Sequence, residues 1–194
     1  MMSAQERGAR ARTRQAILDA AITVLGHEPS APLGAIAAAA DVGRTTLHRY
    51  FRERSGLLRA VNAEVTDRLT RAVGLARLDE GRGIDALRRL TREYFDLGDA
   101  LSLIFNQPHL TAEVGWVDSA VCDPRFEAMV RRGHEDGTLD PDLSAPWVQS
   151  LLWAQLYAAY GYLADSDTSR HTVLGLLVRS VAGAAGAKGA RIEE

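Results

Sequence analysis

Between residues 44 and 49 the chain reads Arg-Thr-Thr-Leu-His-Arg, gathering two guanidinium groups, two hydroxyls and an imidazole into six positions. These groups are not arranged to make or break covalent bonds. They are cations and hydrogen-bond donors suited to the edges of bases and to phosphates: arginine fits guanine, a threonine methyl fits thymine, and hydroxyl or imidazole groups fit the backbone. Residue types that catalysis or metal binding needs are out of register elsewhere. The histidines at 27, 48, 109, 134 and 171 form no pair three or four residues apart, and the chain holds no HExxH, ExxH or G-x-S-x-G. Gly81-Arg82-Gly83 follows no strand, so it is not a phosphate loop, and His134-Glu135-Asp136 reads as a charged helix end before Gly137. No catalytic residue, metal site or cofactor is expected.

The segment before Arg44 explains how those side chains would be presented. Leu33, Ile36, Ala37 and Ala40 fall at i, i+3, i+4 and i+7, the stripe of a helix with one buried face. The small Ala37 and Ala40 let a following helix cross closely. Asp41 stands where the chain must leave the first helix sharply, and aspartate is among the few residues that tolerate a positive φ. Val42 then plugs the gap between two helices, and Gly43 takes the N-cap position of the second. From Arg44 onward Leu47 and Tyr50/Phe51 face inward, leaving Arg44, Thr45, Thr46, His48 and Arg49 outward. This is a helix-turn-helix pattern, and it makes duplex DNA the first partner to consider.

The stretch from about Ala9 to Val61 resembles the DNA-binding domain of the TetR family of transcriptional regulators. The residues that carry the resemblance are Ile36, Ala37, Ala40-Asp41-Val42-Gly43, Thr45, Leu47, Tyr50-Phe51 and Ser55-Gly56-Leu57-Leu58. Asp41 stands where the family usually has Gly, Gly43 where it usually has Ser or Thr, and His48 where Tyr is frequent. Pro32 replaces a hydroxyl residue near the start of the second helix, a position where proline suits the first turn. The resemblance implies a dimeric, ligand-responsive regulator, more specifically a repressor, binding a near-palindromic operator. Arg44, Thr45, Thr46 and Arg49 would enter the major groove. His48, Tyr50, Arg52 and Arg54 would contact phosphates, with Arg12 and Arg14 of an N-terminal arm reaching the adjacent backbone or minor groove. The competing reading is a small-molecule-binding helical protein whose helix-turn-helix no longer binds DNA.

Charge supports DNA when counted locally. The 194 residues hold 23 Lys+Arg against 25 Asp+Glu, a net of -2. Residues 1 to 60 carry nine arginines against five acids, +4, leaving 14 basic against 20 acidic residues, -6, for the rest. A basic head on an acidic body is the asymmetry that phosphate binding leaves. Lys188 is the only lysine. The lone Cys122 forbids an intramolecular disulfide and Cys-based zinc sites. The N-terminus has no apolar leader core, and the apolar run Trp147 to Ala164 is broken by Gln149, Ser150 and Gln155 with acidic flanks, so neither secretion nor a membrane span is expected and the location would be cytoplasmic.

The whole chain reads as all-α: a three-helix head at 1–56 and a larger helical body at 57–194. A helix capped by Ser55 would carry Leu57 to Leu69, and one long helix would run from Ile84 to Phe105. Shorter segments would follow at Leu110 to Val121 and, capped by Asp123-Pro124, up to Gly137. Ser144 and Asp167/Thr168 would start the last two helices, with a frayed tail from Gly186. The run Trp147 to Ala164 is apolar almost all round, which requires cover on two sides. A second copy would supply that cover, through Trp147, Leu151, Ala154, Ala158, Val173, Leu174, Leu177 and Val181. The resemblance also implies a small, mostly apolar ligand at the centre of the body. Candidates to line it are Tyr94, Phe95, Leu101, Phe105, His109, Trp116, Met129, Trp153 and Tyr157, each of which also fits plain core packing. Asn106, Gln107, His109, Glu113 and Gln155 are candidate polar anchors.

Overall fold

A computed structural model describes residues 4–106 and 123–187, and among them nine helices and no strand. Two compact units form. The first holds residues 4–68 and 98–106, the second residues 69–97 and 123–187. The cut therefore falls twelve residues beyond the expected boundary at 56/57, inside a helix that runs unbroken from Arg54 to Leu75.

In the first unit, α1 (Ala4–His27) buries Ile17, Leu18, Ala21, Ile22 and Leu25, the i, i+1, i+4, i+5, i+8 stripe of an amphipathic helix. The N-terminal arginines, expected as an arm, are instead the first turns of this helix. Packed on α1 are α2 (Leu33–Ala39) and α6 (Asp99–Asn106), while α3 (Arg44–Tyr50) packs on α2. Ile36, Ala37, Leu47 and Phe51 close the head's core. Asp41 adopts φ 53°, as its place in the turn requires, and Val42 N–H donates back to the Ala37 carbonyl at 3.0 Å. Gly43 is the N-cap of α3 in extended geometry. Along α4 (Arg54–Leu75), Arg68 pairs with Asp19 of α1 and with Glu64 at 2.9 Å, and Gln15 of α1 donates to both carboxylates at 3.0 Å. Ser55 lies within the first turn rather than at the cap, since α4 begins one residue earlier.

The expected single helix 84–105 is two. α5 (Gly83–Phe95) ends at Asp96, and Gly98 takes φ +57° before α6 begins. Only glycine enters that left-handed conformation without strain. Leu101 and Phe105 consequently belong to α6 in the first unit, where Leu101 is fully buried, and not to the body.

In the second unit α5 is central. It packs against α7 (Pro124–Glu135), α8 (Ala145–Asp165) and α9 (Arg170–Ala185). Its first turn meets α7 so closely that a Cβ on Gly83 would lie 2.3 Å from the Gly133 Cα. Asp136, beyond α7, accepts from Gly83 N–H at 2.8 Å, and Thr138 Oγ accepts from Ile84 N–H at 3.2 Å, so α5 is capped from a distant turn. Burial works to raise the Asp136 carboxyl, but hydrogen bonds from Thr138 and Gly83 and the charge of Arg132 hold it below its ordinary pKa. Asp123 caps α7 as expected, accepting from Arg125 N–H at 2.8 Å. The last helix starts later than expected, with Ser169 rather than Asp167 or Thr168 as N-cap. Gly186 is not frayed: it forms an isolated antiparallel bridge with Leu139.

Helix ends in this unit are held by arginine. Arg89 donates to the carbonyls of Ala76, Arg77 and Glu80 at 2.7–2.8 Å, and Arg132 to those of Leu78 and Gly81. Arg170 donates to the Phe95 carbonyl at 2.5 Å, which Tyr160 Oη also reaches at 2.6 Å. A lysine has one point charge where three carbonyls need a planar fork. Arg89→Lys is therefore expected to cost about 1–2 kcal/mol in urea unfolding, whereas Arg131→Lys, in an exposed pair with Glu135, leaves the midpoint unchanged.

Candidate nucleic-acid interface

The outward side of α3 is as the sequence implied. Arg44, Thr45, His48 and Arg49 are exposed, Thr46 and Tyr50 are half-buried, and Leu47 anchors the helix from beneath. The Arg44 guanidinium lies over Gly34, 3.1 Å from where a Cβ would stand. With Leu47, His48 and residues 32–35 it lines an open groove of about 250 Å³ between α2 and α3.

The arginines of this unit divide by partner. Arg10, Arg12, Arg14, Arg44, Arg49, Arg52 and Arg59 are exposed, and none has an ion-pair or hydrogen-bond partner among the described residues. Arg68 is committed to Asp19 and Glu64, and its guanidinium is held more firmly protonated by them, against the burial that opposes it. Arg54 corrects an expectation. Its guanidinium donates to the carbonyls of Pro29 and Ala31, closing the loop between α1 and α2, so its donors are spent on the protein's own backbone. No spacing in the sequence could reveal this, since the partners are carbonyls 23 and 25 residues upstream.

Sequence reasoning also missed the neighbours of Tyr50. The guanidinium carbons of Arg10 and Arg49 each lie 5.8 Å from the centre of its ring, and Arg14 lies 5.8 Å from that of Phe51. A helical α1 would have been the signal, because Arg7, Arg10 and Arg14 then share one face.

Of the expected ligand-lining residues, four come together in the second unit. Tyr94 and Trp153 stack with ring centres 5.3 Å apart and planes 23° apart, while Phe95 and Met129 are fully buried. Burial, then the nearby Asp123 carboxylate, pushes the Tyr94 hydroxyl's pKa upward. Tyr157 does not join them, being 59% exposed on the outer side of α8. His109 and Trp116, and the anchors Gln107 and Glu113, lie outside the described residues.

The expected docking face is half right in placement. On α8, Trp147, Ala154 and Ala158 point outward and Leu151 is half-buried, and Tyr162 extends the face. On α9 the phase is wrong: Val173, Leu177 and Val181 are at most 3% exposed within their own unit, Leu174 is half-buried, and the outward residues are Gly175, Leu176 and Arg179. The buried set Val173, Leu177, Val181, Ala185 repeats every four residues and was legible as a core stripe.

A two-helix turn presenting unpaired cations on its second helix, joined to a helical body, defines a helix-turn-helix DNA-binding protein. Residues 17–61 match the model of the bacterial regulatory proteins of the tetR family. The chain is 38% identical over 176 residues to the HTH-type transcriptional repressor LfrR of Mycolicibacterium smegmatis, covering 91% of this chain and 92% of that one. The crystal structure of LfrR from Mycobacterium smegmatis superposes with a TM-score of 0.69 at 36% identity, over 90% of this chain and 96% of that one. The LfrR complex with proflavine gives 0.64 at 36% identity, over 89% and 96%. The ketosteroid regulator KstR2 of Mycobacterium tuberculosis shares the fold, with a TM-score of 0.70 at 12% identity over 91% and 96%. The chain belongs to the TetR family of transcriptional regulators. Arg54→Gln is expected to lower the melting free energy by about 1–2 kcal/mol without changing DNA sequence preference, while Arg52→Ala does the reverse, weakening DNA binding at unchanged stability. Thermal unfolding and fluorescence anisotropy on duplex DNA separate the two.

Proposed function

We propose that the protein is a repressor that binds a near-palindromic operator as a homodimer in the cytoplasm, catalyses no reaction, and releases DNA when a planar aromatic ligand enters the second unit. The observation that carries the reading is the set of exposed arginines without protein partners on and beside α3, which a phosphate backbone would complete. Similarity to a repressor over nine-tenths of the chain supports the direction of regulation. Arg44, Thr46 and Arg49 are assigned to base edges, and His48, Arg52, Arg12 and Arg14 to phosphates.

Dimerisation is supported by the outer faces of α8 and α9, where Trp147, Tyr162 and Leu176 are 61%, 50% and 40% exposed. An apolar patch of that kind on a protein this size calls for a partner. Leu151, Ala154, Ala158 and Gly175 lie between them and allow close approach. A two-fold pair of such faces would present two heads to two half-sites. Among the described residues no helix is long and apolar enough to cross a membrane, and no group of His, Cys, Asp and Glu could hold a metal.

Selection from a random duplex pool is expected to return a palindromic motif, and native mass spectrometry a dimer. Arg44→Ala should then cost about 1–3 kcal/mol on the selected duplex and relax preference at one position of each half-site. Equal loss on every sequence would remove Arg44 from base readout. Recovery of no motif would favour a ligand-binding protein that has lost DNA binding.

The ligand class rests on the proflavine complex of LfrR and on the flat Tyr94–Trp153 pair in this chain. Stacking is worth about 0.5–1.5 kcal/mol. Proflavine should release the selected duplex in an anisotropy titration, and Trp153→Leu should raise the proflavine concentration needed by about 2- to 10-fold. Release at the same concentration in the variant would place the ligand elsewhere.

A further inference from the structure

The family match begins at residue 17, which leaves the first turns of α1 outside it. Those turns are exposed at most positions from Gln5 to Ala16, so no core burial accounts for the four arginines they carry. Arg7, Arg10, Ala11 and Arg14 instead line an open groove of about 260 Å³ with Tyr50, the last residue of α3. Across that groove one aromatic ring meets two guanidinium groups from different helices, Arg10 of α1 and Arg49 of α3, both at 5.8 Å. Arginine is weakly hydrated and planar, so it rests on a ring face at little cost. Two cations drawn to one ring still repel each other. No carboxylate among the described residues pairs with either of them. The arrangement is complete only when an anion arrives from outside, and its position at the end of α3 makes that anion a phosphate of the duplex whose bases α3 reads.

We propose that Tyr50 is a positioning residue: its ring, not its hydroxyl, gathers Arg10 and Arg49 so that both grip the DNA backbone, making the first turns of α1 part of the interface. The inference rests on the DNA-binding reading above and adds to it a residue, Arg10, and a role for a side chain otherwise taken as a hydroxyl donor to phosphate. Placing the charges in advance spares the ordering of two long side chains at the moment of binding.

The test uses the full chain, the selected duplex and an unrelated duplex of equal length, with anisotropy read across a range of salt. Arg10→Ala should weaken both complexes by a similar factor of about 3 to 10 and lower the slope of log K against log salt by about 0.9, the signature of one lost phosphate contact. Tyr50→Phe, which keeps the ring, should bind as the wild type does. Tyr50→Leu should reproduce the loss seen in Arg10→Ala and add little when combined with it. Arg10 is exposed, so its variant tests the proposal even where Tyr50→Leu melts early. Unchanged affinity and slope in Arg10→Ala overturn the proposal, as does a Tyr50→Phe variant as weak as Tyr50→Leu. A wild-type chain that binds neither duplex overturns the DNA-binding reading itself, and this inference with it.

Discussion

A helix leaves its last four carbonyls without partners, and a protein built from short helices faces that deficit at every turn. Here the deficit is met by guanidinium groups. Arg54 closes the loop after α1, Arg89 and Arg132 close the one after α4, and Arg170 closes the end of α5 while its guanidinium lies 4.4 Å from the centre of the Phe95 ring. Each fork answers carbonyls that would otherwise depend on water, and each fixes where the next helix starts. The interface depends on this as much as the body does, since the loop that Arg54 holds ends one residue before α2, against which α3 is set.

The same constraint explains why cation counting reads the head well and single arginines badly. Net charge by region is additive and local, so the basic head was visible. Whether a given guanidinium faces solvent or a backbone carbonyl depends on tertiary placement, and Arg54 and Arg44 look alike in sequence. Between α2 and α3, by contrast, every constraint is local. The apolar stripe, the aspartate tolerant of positive φ and the plug at Val42 all lie within ten residues, and the turn forms as read, with φ 53° at Asp41.

In the body the periodic signal failed where it saturated. From Val173 to Val178 apolar residues occupy nearly every position, so the buried side of α9 could be told from the outer side only by the fourfold repeat of Val173, Leu177, Val181 and Ala185. The break at Gly98 was hidden for a related reason. Leu97 and Leu101 continue the stripe of α5 across it, and a single glycine inside such a stripe does not by itself announce a new helix. That break moved Leu101 and Phe105 out of the body and left Tyr94, Phe95, Met129 and Trp153 as the residues grouped there.

The nearly complete use of arginine for positive charge has a chemical corollary. Guanidinium stays protonated across the whole range in which proteins are handled and offers no nucleophilic amine. The charge of the head is thus fixed: neither pH nor acylation can turn it down, and any control of DNA binding has to come through shape. It also leaves Lys188 as the sole side-chain amine. A reporter attached through amine chemistry to that side chain would sit far along the chain from every cation of the head, leaving the groups that meet phosphate chemically untouched.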